Sequence, residues 1–279
     1  MKTCELVIFD WAGTTVDYGC FAPVQAFVEV FKHFGIDPTM EEVRKPMGML
    51  KIDHIRTMMQ MDRIGGLWKR TTGRAWNEED VNDIYHIMEA KTLEILPKFV
   101  DIKPHVIETV SELRDQGIKI GSTTGYTDEM MNIVAPIAKE NGYAPDLWVS
   151  PNAVGNAGRP YPYMMFRNME ALGVTSVRKV IKVGDTVADI KEGVNAGVIT
   201  VGVIEGSSVM GYTKEEYESL TPAKRMAECQ RVTDIYKEAG ADHVIKDISR
   251  PAGTVENLIR LRFILLAFPQ VQEDESQPF

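Results

Sequence analysis

Cysteine is scarce in this 279-residue chain, and its three copies, Cys4, Cys20 and Cys229, are too scattered to frame a disulfide network or a zinc site. Such usage fits a reducing compartment, with each a free thiol. Long apolar runs are lacking as well. The longest, Phe263 to Phe268, falls far short of the roughly 20 residues that span a bilayer, and nothing near Met1 resembles a secretory signal. The expected location is therefore the cytoplasm, with no membrane partner. Excess positive charge is also missing, since 31 Lys and Arg face 40 Asp and Glu for a net charge of −9. Nucleic acid rewards a basic face, so none is expected as a partner, and an anionic ligand must be met by cations placed locally. Internal repeats and low-complexity tracts are absent.

What is present begins with Glu5-Leu-Val-Ile-Phe-Asp-Trp-Ala-Gly-Thr-Thr-Val-Asp17. Leu6 to Phe9 has the length and composition of a strand buried on both faces, ending at Asp10 with Gly13-Thr14 beyond. A carboxylate at the carboxyl end of a parallel strand stands where ligands bind in open α/β sheets. Helical patterns follow at residues 23–34, 39–46, 51–62 and 77–95, with Gly65-Gly66 and Thr71-Thr72-Gly73 read as joints and no strand before residue 118. Beyond Pro97 helix and strand alternate: helices at 103–116, 127–141, 160–172 and 187–196, strands at 118–123, 146–149, 179–183 and 198–203. The pattern predicts an α/β fold, a doubly wound parallel sheet. One or two helices are expected over 211–239 with a break near Pro222, then a strand at 243–246, a helix at 253–268 and a disordered tail from Gln270. The expected organisation is a core of residues 1–19 and 98–279, interrupted by an all-helical cap of 20–97.

Three more strand ends carry polar chemistry. Ser122-Thr-Thr124-Gly125 offers hydroxyl and backbone N–H groups to an anion. Gly158-Arg159-Pro160 holds a guanidinium, suited to bidentate phosphate contact, in a rigid turn. Gly184-Asp185-Thr-Val-Ala-Asp189 ends another apolar strand with two carboxylates. Each alone has an ordinary reading as a helix cap, a turn or a surface charge. Their order along one sheet, carboxylate, hydroxyl, cation and carboxylate pair, supplies the parts of a nucleophile, a phosphate clamp and a Mg²⁺ site.

These four motifs resemble those of the haloacid dehalogenase superfamily of Mg²⁺ phosphotransferases. The resemblance implies that Asp10 attacks phosphorus, that Thr124, Gly125 and Arg159 hold the phosphoryl group, that Asp10, the Ala12 carbonyl and Asp185 bind Mg²⁺, and that Asp189 supports the metal site. The superfamily's phosphatases usually carry an Asp acid two residues after the nucleophile, where this chain has Ala12. An ordinary sugar phosphatase is therefore not expected. Residues 10–21, 44–56 and 121–127 further resemble the phosphonoacetaldehyde hydrolase family. That likeness implies a small-molecule substrate, a Schiff base on Lys51, proton movement assisted by His54, a site lined by Met47, Cys20 and Tyr126, and a homodimer. A phosphatase or phosphomutase acting on a phosphate ester is the alternative.

Overall fold

The computed structural model describes residues 4–249, organised on one six-stranded sheet. Its strands are β1 (Leu6–Phe9), β2 (Lys119–Thr123), β3 (Leu147–Val149), β4 (Val180–Gly184), β5 (Ile199–Val203) and β6 (His243–Ile245). They run in the order β3-β2-β1-β4-β5-β6 with every pairing parallel. All four residues of β1 are buried, as expected for a central strand covered on both faces. Register matters most here, because Phe9 lies opposite both Ser122 and Val183. Asp10, Thr123 and Gly184 consequently leave the sheet at the same edge.

Five helices separate β1 from β2: α1 (Phe21–His33), α2 (Met40–Arg44), α3 (Lys51–Met59), α4 (Asp62–Thr72) and α5 (Glu78–Ile95). They bury an apolar cluster of their own, which includes Phe27, Phe31, Ile55, Met58, Trp68 and Ile84. The crossings into and out of this helical insert run side by side. The Asp17 N–H donates to the Asp101 carbonyl (3.2 Å) and the Lys103 N–H to the Thr15 carbonyl (2.9 Å). Asp17 also caps the insert, its carboxylate accepting the Phe21 and Ala22 N–H groups at 2.9 Å each.

The remaining helices are α6 (Val106–Asp115), α7 (Asp128–Glu140), α8 (Tyr163–Ala171), α9 (Val187–Ala196), α10 (Lys214–Ser219) and α11 (Pro222–Glu238). The expected break near Pro222 falls at the start of α11, where Thr221 caps the first turn.

Several expectations need correction. The helices expected at 51–62 and 103–116 run over Lys51–Met59 and Val106–Asp115. Gly65-Gly66 is no joint but lies inside α4, because a Cβ at Gly65 would stand 2.8 Å from the Met59 carbonyl oxygen, and only glycine lets the helix pack that tightly. The helix expected from residue 160 begins at Tyr163, since Gly158 to Pro162 form the turn that carries Arg159. The expected helix at 253–268 and the tail from Gln270 lie outside the described residues.

Candidate active site

Asp10 stands just beyond β1, 4% exposed, and its Oδ1 accepts from Arg159 Nη2 at 2.6 Å. The arginine, an ordinary surface charge only when taken singly, is itself buried. Its Nη2 also donates to the Thr123 carbonyl (2.8 Å) and lies 3.1 Å from Asp189 Oδ1, while its Nε donates to Glu192 Oε2 (3.1 Å).

Asp185 follows β4 and is fully buried; it accepts from Thr14 Oγ1 (3.0 Å) and the Ser208 N–H (2.7 Å). Gly13 makes room for it, as a Cβ there would lie 2.2 Å from Asp185 Oδ2. Asp189 shares a reciprocal cap with Thr186 at the head of α9. Burial pushes the carboxyls of Asp10 and Asp185 above their usual range, Asp185 strongly; Arg159 opposes the shift of Asp10 while Asp189 adds to it, and Asp10 and Asp189 add to that of Asp185. Burial works against Asp189 too, but Arg159 and Lys182 hold its carboxyl below that range.

One oxygen from each of Asp10, Asp185 and Asp189 lies within 4.8 Å of the others. An all-oxygen set of buried, mutually repelling carboxylates fits a hard divalent cation, which would remove the repulsion that raises Asp10 and Asp185.

The insert completes the site. A narrow pocket is lined by Asp10, Ala12, Thr124, Gly125, Tyr126 and Arg159 from the core and by Cys20, Met47, Gly48 and Lys51 from the insert side. Lys51 heads α3 and is 3% exposed, its Nζ lying 5.6 Å from the Phe27 ring centre and 5.4 Å from that of Tyr126. Burial pulls its ammonium pKa below the usual lysine value; Cys20 and Asp10 oppose this, and Arg159 adds to it. The Cys20 thiol and Tyr126 phenol, both driven up mainly by burial, stay protonated.

Of the residues selected from sequence, Asp185, Asp189 and His54 are not part of the pocket lining, and His54 is the one of them from the insert. It sits one turn after Lys51, fully buried, with its ring stacked on Phe27 at 3.7 Å between centres. Burial and the neighbouring Lys51 charge keep its imidazole neutral.

Sequence reasoning missed Lys182, Glu192 and the Thr123 side chain, all buried beside Arg159. Signals for two of them were present. Lys182 interrupts an otherwise apolar strand, Val180-Ile-Lys-Val183, and Glu192 falls one turn after Asp189, on the same helix face.

A haloacid dehalogenase-like hydrolase profile matches residues 4–197. The chain belongs to that family. A second, HAD-hydrolase-like profile matches residues 156–249. Among relatives, a phosphonoacetaldehyde hydrolase from Lysinibacillus sphaericus is 52% identical, over 87% of this chain and 90% of its own length. A bifunctional phosphonoacetaldehyde hydrolase/aminoethylphosphonate transaminase from Clostridioides difficile is 54% identical, and the match spans 88% of this chain but 38% of that longer protein. Among solved structures, a phosphonoacetaldehyde hydrolase-like protein from Oleispira antarctica superposes with a TM-score of 0.89 at 37% identity, covering 92% of this chain and 93% of its own. The family's doubly wound core is the six-stranded parallel sheet described above.

Proposed function

We propose that this chain hydrolyses the carbon–phosphorus bond of phosphonoacetaldehyde to acetaldehyde and phosphate. The observation that carries this reading is the meeting of Asp10 and Lys51 in one pocket with Ala12 between the motifs, at a position that offers no acid to a leaving oxygen. A C–P bond has no bridging oxygen to protonate. Its electrons must be drawn toward carbon.

In the proposed reaction the neutral Lys51 amine adds to the aldehyde, and the resulting carbinolamine takes up a proton and loses water to form a protonated imine. Asp10 then attacks phosphorus, and the C–P electron pair moves into an enamine as the aspartyl phosphate forms. Protonation of the enamine carbon and hydrolysis of the imine release acetaldehyde; a second water releases phosphate from Asp10, so the whole reaction consumes one water. Thr124, Gly125 and Arg159 would orient the phosphoryl oxygens, with Nη1 of Arg159 having no protein acceptor among the described residues. Met47, Cys20 and Tyr126 would line the aldehyde side and exclude water, and His54 would assist proton movement through Lys51.

Mg²⁺ is the proposed cofactor, held by Asp10, the Ala12 carbonyl and Asp185 with support from Asp189, and when bound it offsets phosphoryl charge. The proposed division is a core of 1–19 and 98–279 and a cap of 20–97 that opens and closes over the pocket. A cytoplasmic homodimer completes the reading; among the described residues no helix is long and apolar enough to cross a membrane. The deciding assay measures acetaldehyde and phosphate from phosphonoacetaldehyde, with and without EDTA, beside sugar phosphate esters. Phosphate release from the esters alone would favour the phosphatase or phosphomutase reading.

A further inference from the structure

Beneath Arg159 lies a set of charged groups that touches neither the pocket nor solvent. Lys182, on β4, donates to Thr123 Oγ1 at 2.7 Å and pairs with the carboxylates of Asp189 (Oδ1, 2.9 Å) and Glu192 (Oε2, 3.1 Å). Glu192, on α9 and 0% exposed, gathers Thr123 Oγ1 (2.9 Å), Arg159 Nε (3.1 Å) and Lys182 Nζ on the single oxygen Oε2. Its neighbour Gly193 permits the approach, since a Cβ there would stand 2.7 Å from Thr200 Cγ2 and 3.1 Å from Lys182 Cβ.

This arrangement bears on how a guanidinium can serve a ligand when three carboxylates compete for it. Arg159 Nη2 is already committed to Asp10, Asp189 and Thr123. Were Nε free, the planar group could rotate and give both terminal nitrogens to the carboxylates. Glu192 holds Nε on the edge it shares with Nη2, and Lys182 engages the Asp189 oxygen that would otherwise draw Arg159 inward. Three of the five guanidinium N–H groups then face protein acceptors, and the two on Nη1 remain for a ligand.

We propose that Glu192 is a positioning residue for Arg159, holding Nε so that Nη1 is presented to a phosphoryl oxygen, with Lys182 as its counter-ion. The proposal rests on the phosphoryl-binding role given to Arg159 above. A buried ion pair that served only the fold would contribute to stability without acting on ligand affinity.

The test is a double-mutant cycle on inorganic phosphate binding, read by titration calorimetry at saturating Mg²⁺, with Glu192→Gln, Arg159→Lys and the two combined. Lysine has no Nε for Glu192 to hold. Glu192→Gln alone should weaken phosphate binding about tenfold, the scale of one charge-assisted hydrogen bond. The double variant should bind no worse than Arg159→Lys alone. Glu192→Asp, which keeps the charge but withdraws it by one methylene, should behave like Glu192→Gln and serves if the amide variant does not fold. Affinity losses that multiply in the double variant, or a folded Glu192 variant that binds phosphate as well as the parent, would overturn the proposal. Failure of the parent to cleave phosphonoacetaldehyde while the cycle still shows coupling would instead count against the substrate reading alone.

Discussion

Gly48 in the insert packs so closely on Thr186 of the core that a Cβ at position 48 would lie 2.3 Å from Thr186 Oγ1. Its φ of +87° is also one that side chains rarely adopt. The contact joins the loop before Lys51 to the loop that carries Asp185. Gly48→Ala should therefore fold with its insert displaced from the phosphate edge, lowering kcat/KM at least about tenfold, because misplacement by an ångström costs rates of that order or more. Steady-state kinetics beside a melting curve check this; parent-like kinetics would show that the contact is dispensable.

Lys51 should be the residue that borohydride traps. Reduction in the presence of acetaldehyde should inactivate the enzyme and add the two-carbon unit to the peptide containing Lys51, read by mass spectrometry. Lys51→Arg should be inactive and unlabelled, since a guanidinium stays charged and forms no imine. Label on another lysine would defeat the Schiff-base step.

The same residue sets a pH dependence. Burial lowers the folded-state pKa of Lys51 below its usual value of about 10.4. Its neutral fraction rises with pH through that lowered value, so the rate of adduct formation should climb with a midpoint below that of a free lysine. Linkage has the same sign: the cost of burying the ammonium is full below the folded pKa and is relieved as pH rises through the window between the lowered and ordinary values. A trapping profile centred near the free-lysine value would contradict the burial argument.

Asp10→Asn should abolish turnover, by roughly three orders of magnitude or more, because an amide is a poor nucleophile and a weaker cation ligand. The fold should persist, since the amide oxygen can still accept from Arg159. Circular dichroism with a phosphate-release assay tests both halves. Near-parent turnover would remove Asp10 from the nucleophile's role.

Chelation should stop turnover without unfolding the protein, and added Mg²⁺ should both restore it and raise the melting temperature, as expected when a ligand binds only the folded state. Full activity in excess EDTA would exclude the proposed cofactor.

Much of this was legible in the chain itself. Leu6 to Phe9 followed by Asp10, and Val180 to Gly184 followed by Asp185, announce buried strands with carboxylates at their ends, because a strand covered on both faces must be apolar until the chain leaves the sheet. Alternation of helix and strand after Pro97 gave the parallel sheet for the same local reason. The absence of an acid at Ala12 and the lysine at the head of α3 could likewise be read directly, since residue identity needs no coordinates.

Tertiary structure alone decided the rest. That Arg159 is buried between Asp10 and Glu192, rather than solvated, depends on β1, β2 and β4 being neighbours, and no local pattern states which strands pair. Gly65-Gly66 reads as a break because glycine is a poor helix former, yet the close approach of Met59 makes glycine the residue that keeps α4 whole. Lys182 and Glu192 lie ten residues apart on a strand and a helix, and packing of α9 on the sheet makes them partners. Local sequence specifies which groups a segment carries and how it coils; which charges share a site is fixed by long-range packing.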